Sequence, residues 1–221
     1  MRQRLPALAL AAVAVAWNNA VLPRLGLSPR GRAVANAAAG VGAVAAVRAA
    51  GFGAEETGMS RHQAMRGLTR GLAVGAIPLA GYGLMYSVPA LRHRLVRHEE
   101  RPDTVEWMFL HIPVGTVVAE ELLFRGALSA STSRGWSPAA RTALHATAFG
   151  LWHVQPARAA GDHVLGTVAV TGASVLLFDA LRRHTGSVLA PALLHLTINV
   201  GGAGAAVAAA RTHVVARSAP R

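Results

Sequence analysis

The sequence predicts an all-α, polytopic integral membrane protein, a helical bundle of about seven transmembrane helices. Three observations predict it. The 221 residues are 52% hydrophobic and only 14% charged, against roughly 25% charge in an ordinary soluble domain. The apolar residues are gathered into blocks of about the 17–25 residues that cross a bilayer. Arg, Pro, Gly and Asp collect in the connectors between blocks, as loop residues do.

Seven blocks fall at residues 5–22, 33–50, 71–91, 105–128, 139–154, 164–181 and 187–210. The first follows Arg2 and Arg4 and resembles a signal peptide, with a charged start and an apolar run. The apolar run resumes after Trp17-Asn18-Asn19, and no small-residue cleavage site precedes a soluble domain. An uncleaved first helix is therefore expected. The second block is mostly Ala and Gly, with Arg48 near its end. The fifth is short and carries two histidines. In the seventh, Gly201-Gly202-Ala203-Gly204 suits close helix–helix approach in lipid.

The chain carries a net charge of +12, and every basic residue is arginine. The arginines lie mostly between blocks, without a basic stripe interleaved with aromatics. They are read as juxtamembrane groups facing anionic lipid, and nucleic acid is not expected as a partner. Arginine counts on alternate sides of seven helices are nearly equal, so orientation does not follow. Cysteine is absent, which removes disulfides and thiolate chemistry. Arginine without lysine, with abundant Ala and Gly, points to a GC-rich bacterial source and a bacterial cell membrane.

Ionisable groups inside a membrane block are costly, at about 2.5–3.5 kcal/mol for one Asp, Lys or Arg at a helix centre. The fourth block nevertheless contains Glu120-Glu121-Leu122-Leu123-Phe124-Arg125. On an α-helix, positions four apart share a face, so Glu121 can pair with Arg125. Glu120 is rotated by about 100° and points elsewhere, with Phe124 on its side. The fifth block contains Phe149-Gly150-Leu151-Trp152-His153, and His145 lies two turns before His153. The seventh contains His195-Leu196-Thr197-Ile198-Asn199. Pro191, four residues earlier, is a candidate for opening that helix. One such histidine is usually a helix–helix hydrogen bond. A carboxylate, an imidazole and an imidazole–amide pair on three helices point to a functional site. His111, Asp162, His163, Asp179 and His184 lie near block ends and read mainly as interfacial.

In order, these runs fit EExxxR, FxxxH and HxxxN, and they resemble the CAAX-protease and bacteriocin-processing (CPBP, or Abi) family, which includes the type 2 CAAX prenyl endopeptidases. The resemblance covers about residues 105–210. It divides the chain into N-terminal helices without diagnostic motifs (1–104), a catalytic helical core (105–210) and a polar tail (211–221). It implies an intramembrane endopeptidase acting on a membrane-associated protein or peptide. By that implication Glu120 is the general base for a water and His153 orients or shares the proton. His195 and Asn199 polarise the scissile carbonyl, while Glu121, Arg125 and Phe149 support the site. No cofactor is favoured. Zinc is the alternative, held by Glu120, His153 and His195, although HExxH is missing.

Other protease classes fit less well. Gly172-Ala173-Ser174 lacks the second glycine of a GxSxG turn, and no GxGD occurs. The alternative reading is a non-proteolytic membrane protein, such as a bacteriocin self-immunity factor or a scaffold. A proton-relay transporter ranks lower, because matching broken helices in two halves are missing.

Overall fold

The computed structural model describes residues 4–96 and 102–218, with side chains to residue 212. Arg2, Arg97, Arg101 and Arg221 lie outside the described residues. The described residues form helices joined by short turns and loops, without strands. The helices are α1 (Leu5–Arg24), α2 (Pro29–Ala49), α3 (Arg61–Ser87), α4 (Pro89–Leu95), α5 (Thr104–Ser131), α6 (Pro138–Trp152), α7 (Val154–Ala160), α8 (Val164–Thr185) and α9 (Leu189–Ser218).

Local chemistry places the helix ends. Ser28 accepts the Gly31 N–H before α2, and Ser137 accepts the Ala140 N–H before α6. Each is followed by a proline at the first helical position, where the missing N–H costs nothing. His163 caps α8 through the Gly166 N–H. At its far end Gly186 takes φ 72°, a left-handed stop that other residues resist. Pro191 falls in the first turn of α9, where backbone N–H groups have no intrahelical partner. It therefore does not open the helix, contrary to the expectation from sequence.

Each of the seven apolar blocks is helical, but fewer qualify as spans. Leu5–Arg24, Thr104–Ser131, Val164–Thr185 and Leu189–Thr212 are long and apolar enough to cross a membrane. Arg61–Ser87 with Pro89–Leu95, bent by 110°, makes a fifth if the two form one broken span. Helix α2 has 21 residues, but Ala and Gly dilute its hydropathy. Helix α6 has only 15, too few for a bilayer.

Helix α5 lies at the centre and touches α1, α2, α6, α8 and α9. Helix α9 packs along α3, and α8 along α6. Small residues allow the close crossings. A Cβ on Gly40 of α2 would come within 2.7 Å of the Ala119 carbonyl oxygen, one residue before Glu120. Gly201 and Gly202 make room for Tyr82 of α3, whose hydroxyl donates to the Ile198 carbonyl at 3.0 Å. The main apolar cluster joins α1, α5, α6 and α8 through Ala11, Phe124, Phe149, Trp152 and Val175.

Helix α5 departs from the α-helical spacing assumed from sequence. Residues Trp107–Val118 and Glu121–Leu128 form π-helix, with Ala119 and Glu120 as an α step between them. Pro113 lies inside the first stretch. In π-helix the hydrogen bond runs from i to i+5, and such turns recur at functional sites.

Candidate active site

The three motifs meet behind α5. Glu120, Glu121 and Arg125 are all buried, with Arg125 fully enclosed. His153 Nε2 lies 3.9 Å from Glu120 Oε2, and His195 Nε2 lies 4.0 Å from the same oxygen. The other oxygen of Glu120 accepts the indole N–H of Trp152 at 3.0 Å. Among the described residues Oε2 itself has no hydrogen-bond partner, and the same holds for Glu121 Oε2 and Asp179 Oδ1.

Hydrogen bonds fix which nitrogen of each histidine faces Glu120. His153 Nδ1 lies 2.7 Å from the Phe149 carbonyl oxygen. A carbonyl only accepts, so Nδ1 carries the proton and Nε2 presents a lone pair in the neutral ring. His195 Nδ1 donates to Glu121 Oε1 at 2.9 Å, and again Nε2 is left with a lone pair. With both rings neutral, the two Nε2 atoms and Glu120 Oε2 are acceptors that face one another at 3.9 and 4.0 Å. Such an orphaned, buried oxygen calls for an explanation in function.

Glu121 does more than neutralise Arg125. It is 3.4 Å from Arg125 Nη1 and also anchors His195. Arg125 is in turn shared with Asp179, at 3.5 Å from Nε. Its guanidinium lies between two rings, 4.3 Å from the Phe149 centroid and 4.8 Å from that of Phe178. Phe149 also meets the His153 ring edge-on at 4.8 Å. Phe124 stands edge-on to Phe149 and Trp152, on the Glu120 side as the sequence predicts. Asn199 lies one turn beyond His195 on α9, is half-buried, and makes no side-chain hydrogen bond among the described residues.

Helix α1 positions the His153 segment. Asn18 donates to the Trp152 carbonyl and Asn19 to the Leu151 carbonyl, each at 2.8 Å. Asn19 also accepts the Gln155 N–H at 2.6 Å. These bonds satisfy the backbone where α6 ends and α7 begins. His153 at the junction has φ −90° and ψ 3°, the bridge region where many active-site residues sit. Asn18 lies in a π turn at Trp17–Val21. Two adjacent amides inside an apolar block were the signal for this role, and sequence reasoning passed over them. Trp152, adjacent to His153, was likewise missed as a partner of Glu120.

Asp179 corrects an expectation. It is buried on α8 rather than interfacial, and it accepts from His145 Nδ1 at 2.6 Å. His145 lies outside the three sequence motifs. Among the described residues, no group of three or more His, Cys, Asp or Glu stands in a metal-holding arrangement.

The fold and site define a membrane-embedded helical bundle with a carboxylate–imidazole centre buried among its helices. A family model described as Type II CAAX prenyl endopeptidase Rce1-like matches residues 102–201. That segment contains all three motifs and is similar to this protease family, in agreement with the resemblance carried by EExxxR, FxxxH and HxxxN. No curated protein and no solved structure matches the chain.

Proposed function

We propose that the protein is an intramembrane endopeptidase of the CPBP type, and that Glu120 activates the water that cleaves its substrate. One observation carries the reading: two imidazole lone pairs converge on the unpartnered Oε2 of a buried glutamate. A water there donates one proton to Glu120 and the other toward an Nε2, and its oxygen attacks the scissile carbonyl carbon. The amide side chain of Asn199 supplies a donor for the developing oxyanion. His195 supplies a second: its Nε2 takes the other proton of the water, with Glu121 as its counter-charge, and releases it when the products leave. When the C–N bond breaks, the proton held by Glu120 or His153 passes to the leaving nitrogen. Removing an oxyanion donor in such a site costs on the order of 100–1000-fold in rate.

The substrate is a membrane-associated protein or peptide that reaches the site from lipid, in a bacterial cell membrane. The catalytic core comprises residues 105–210, and α2 and α6 complete a seven-helix bundle around it. In this mechanism Glu120 activates the water without a metal. Zinc on Glu120, His153 and His195 would instead lower the pKa of the same water. Cleavage that survives a chelator supports the glutamate form; loss restored by zinc supports the other.

The test is cleavage of candidate membrane peptides by the purified chain in detergent, with Glu120→Ala and His153→Ala alongside. Activity in the wild type and none in either variant is expected. Equal activity in Glu120→Ala sinks the proposal, and protection in a bacteriocin assay that survives Glu120→Ala favours the non-proteolytic alternative.

A further inference from the structure

A second buried polar cluster lies on the far side of Arg125 from Glu121. Asp179 Oδ2 accepts the Nδ1–H of His145 at 2.6 Å. His145 Nε2 lies 3.0 Å from the hydroxyl of Thr132, just past the end of α5. Asp179 Oδ1 faces Arg125 Nε at 3.5 Å. A continuous chain of buried side chains therefore runs from His145 through Asp179, Arg125 and Glu121 to His195.

We propose that Asp179 and His145 are positioning residues for the hydrolytic site, acting through Arg125 and Glu121 on His195. The consequence for activity rests on the endopeptidase reading, whereas the consequence for His195 does not. The rings of Phe149 and Phe178 pack against the Arg125 guanidinium, with centroids 4.3 and 4.8 Å from its carbon. The aim of its N–H groups is left to its acid partners. A guanidinium with one carboxylate turns to give it two parallel N–H···O bonds. Arg125 is instead divided, at 3.4 Å from Glu121 and 3.5 Å from Asp179.

That division leaves Glu121 Oε1 available to the Nδ1–H of His195. Without Asp179, Arg125 turns toward Glu121 and draws Oε1 from the imidazole. His195 then loses the bond that fixes its ring and its tautomer. The neighbouring Arg182 does not substitute for Asp179. It is a cation like Arg125, and it already donates to the carbonyls of Arg125, Glu55 and Glu56. His145 completes the device. Its short bond fixes the Asp179 carboxylate, and Thr132 fixes the other end of its ring.

The experiment compares wild type with Asp179→Ala and the isosteric Asp179→Asn, which keeps the packing if the alanine variant does not fold. Two quantities are read on the whole chain in detergent: histidine ring nitrogen-15 spectra, with His195 assigned by His195→Gln, and kcat and KM on a cleaved peptide. Loss of the Nδ1–H signature at His195, with kcat down on the order of 10–100-fold as for other outer-shell partners and KM unchanged, is the expected result. A folded Asp179→Asn protein with the wild-type His195 spectrum overturns the proposal. If the wild type cleaves no peptide, the endopeptidase reading fails, and the His195 spectra alone decide the positioning role.

Discussion

Arg125 separates two buried polar regions that are built from the same residue types. On one side, Glu120 faces two imidazole lone pairs and one of its oxygens has no partner. On the other, Asp179 and His145 share a 2.6 Å bond, and His145 is held at both ring nitrogens. A cavity of about 190 Å³ adjoins the Asp179 side at the end of the bundle. Asp179 Oδ1, like Glu120 Oε2, is buried without a hydrogen-bond partner among the described residues, so the two regions differ in how their imidazoles are held: His145 by direct bonds at both nitrogens, His153 and His195 each with one nitrogen 3.9–4.0 Å from Glu120.

Four measurements break or sharpen this contrast. The largest effect belongs to the Glu120 side. Glu120→Gln keeps the shape but cannot accept the proton, so kcat falls on the order of 100–10,000-fold. Its thermal midpoint in detergent stays near that of the wild type, and a large fall there instead would make Glu120 a structural residue.

Next is the dividing residue. Arg125→Ala leaves Glu121 and Asp179 without their shared cation. Breaking a buried pair in this way costs about 3–5 kcal/mol, read as a lowered unfolding midpoint. An unchanged midpoint breaks the view that Arg125 couples the two regions.

A smaller loss is expected at the α1 contact. Asn18→Ala removes one hydrogen bond to the Trp152 carbonyl, worth about 0.5–1.5 kcal/mol net. The same change displaces the His153 junction, so activity falls more than stability does. Equal losses in both would argue that α1 only packs.

The smallest effect lies outside both regions. Glu56 in the connector before α3 pairs with Arg134 at 2.8 Å and accepts the Gly53 N–H. The Gly53 bond first, then Arg134, holds its carboxyl below the usual range. Its contribution is present above the ordinary carboxylate pKa and is lost as pH falls through the lowered one. For an exposed pair it amounts to about 0–1 kcal/mol. Glu56→Gln should lower stability slightly at neutral pH and leave the strongly acidic end, where the contribution is already lost, unchanged.

The second cluster was harder to find in the sequence than the first for a physical reason. Glu121 and Arg125 sit four residues apart on one helix, so helix geometry alone brings them near each other. Asp179 and His145 are 34 residues apart, on α8 and α6. Their meeting depends on how those helices cross. Asp179 also sits near the end of an apolar block, where an interfacial reading is natural. Asn18 and Asn19 stood out as polar residues in an apolar run, but their partners are backbone carbonyls more than 130 residues away. Backbone acceptors leave no mark in a residue pattern.

The sequence by itself determined the membrane class, the helical content, the three motifs and the Glu121–Arg125 neighbourhood. Composition and local spacing are sufficient for these, because burial in lipid forces helices and helices fix which close residues share a face. Tertiary structure decided the rest: four to five qualifying spans, the π-helical turns of α5, and the partner each buried acid takes. Glu121 takes His195 and Glu120 takes Trp152, although the two acids are adjacent in the chain. Helix crossing and the widened turns of α5 set those contacts, and neither is encoded at a fixed spacing along the chain.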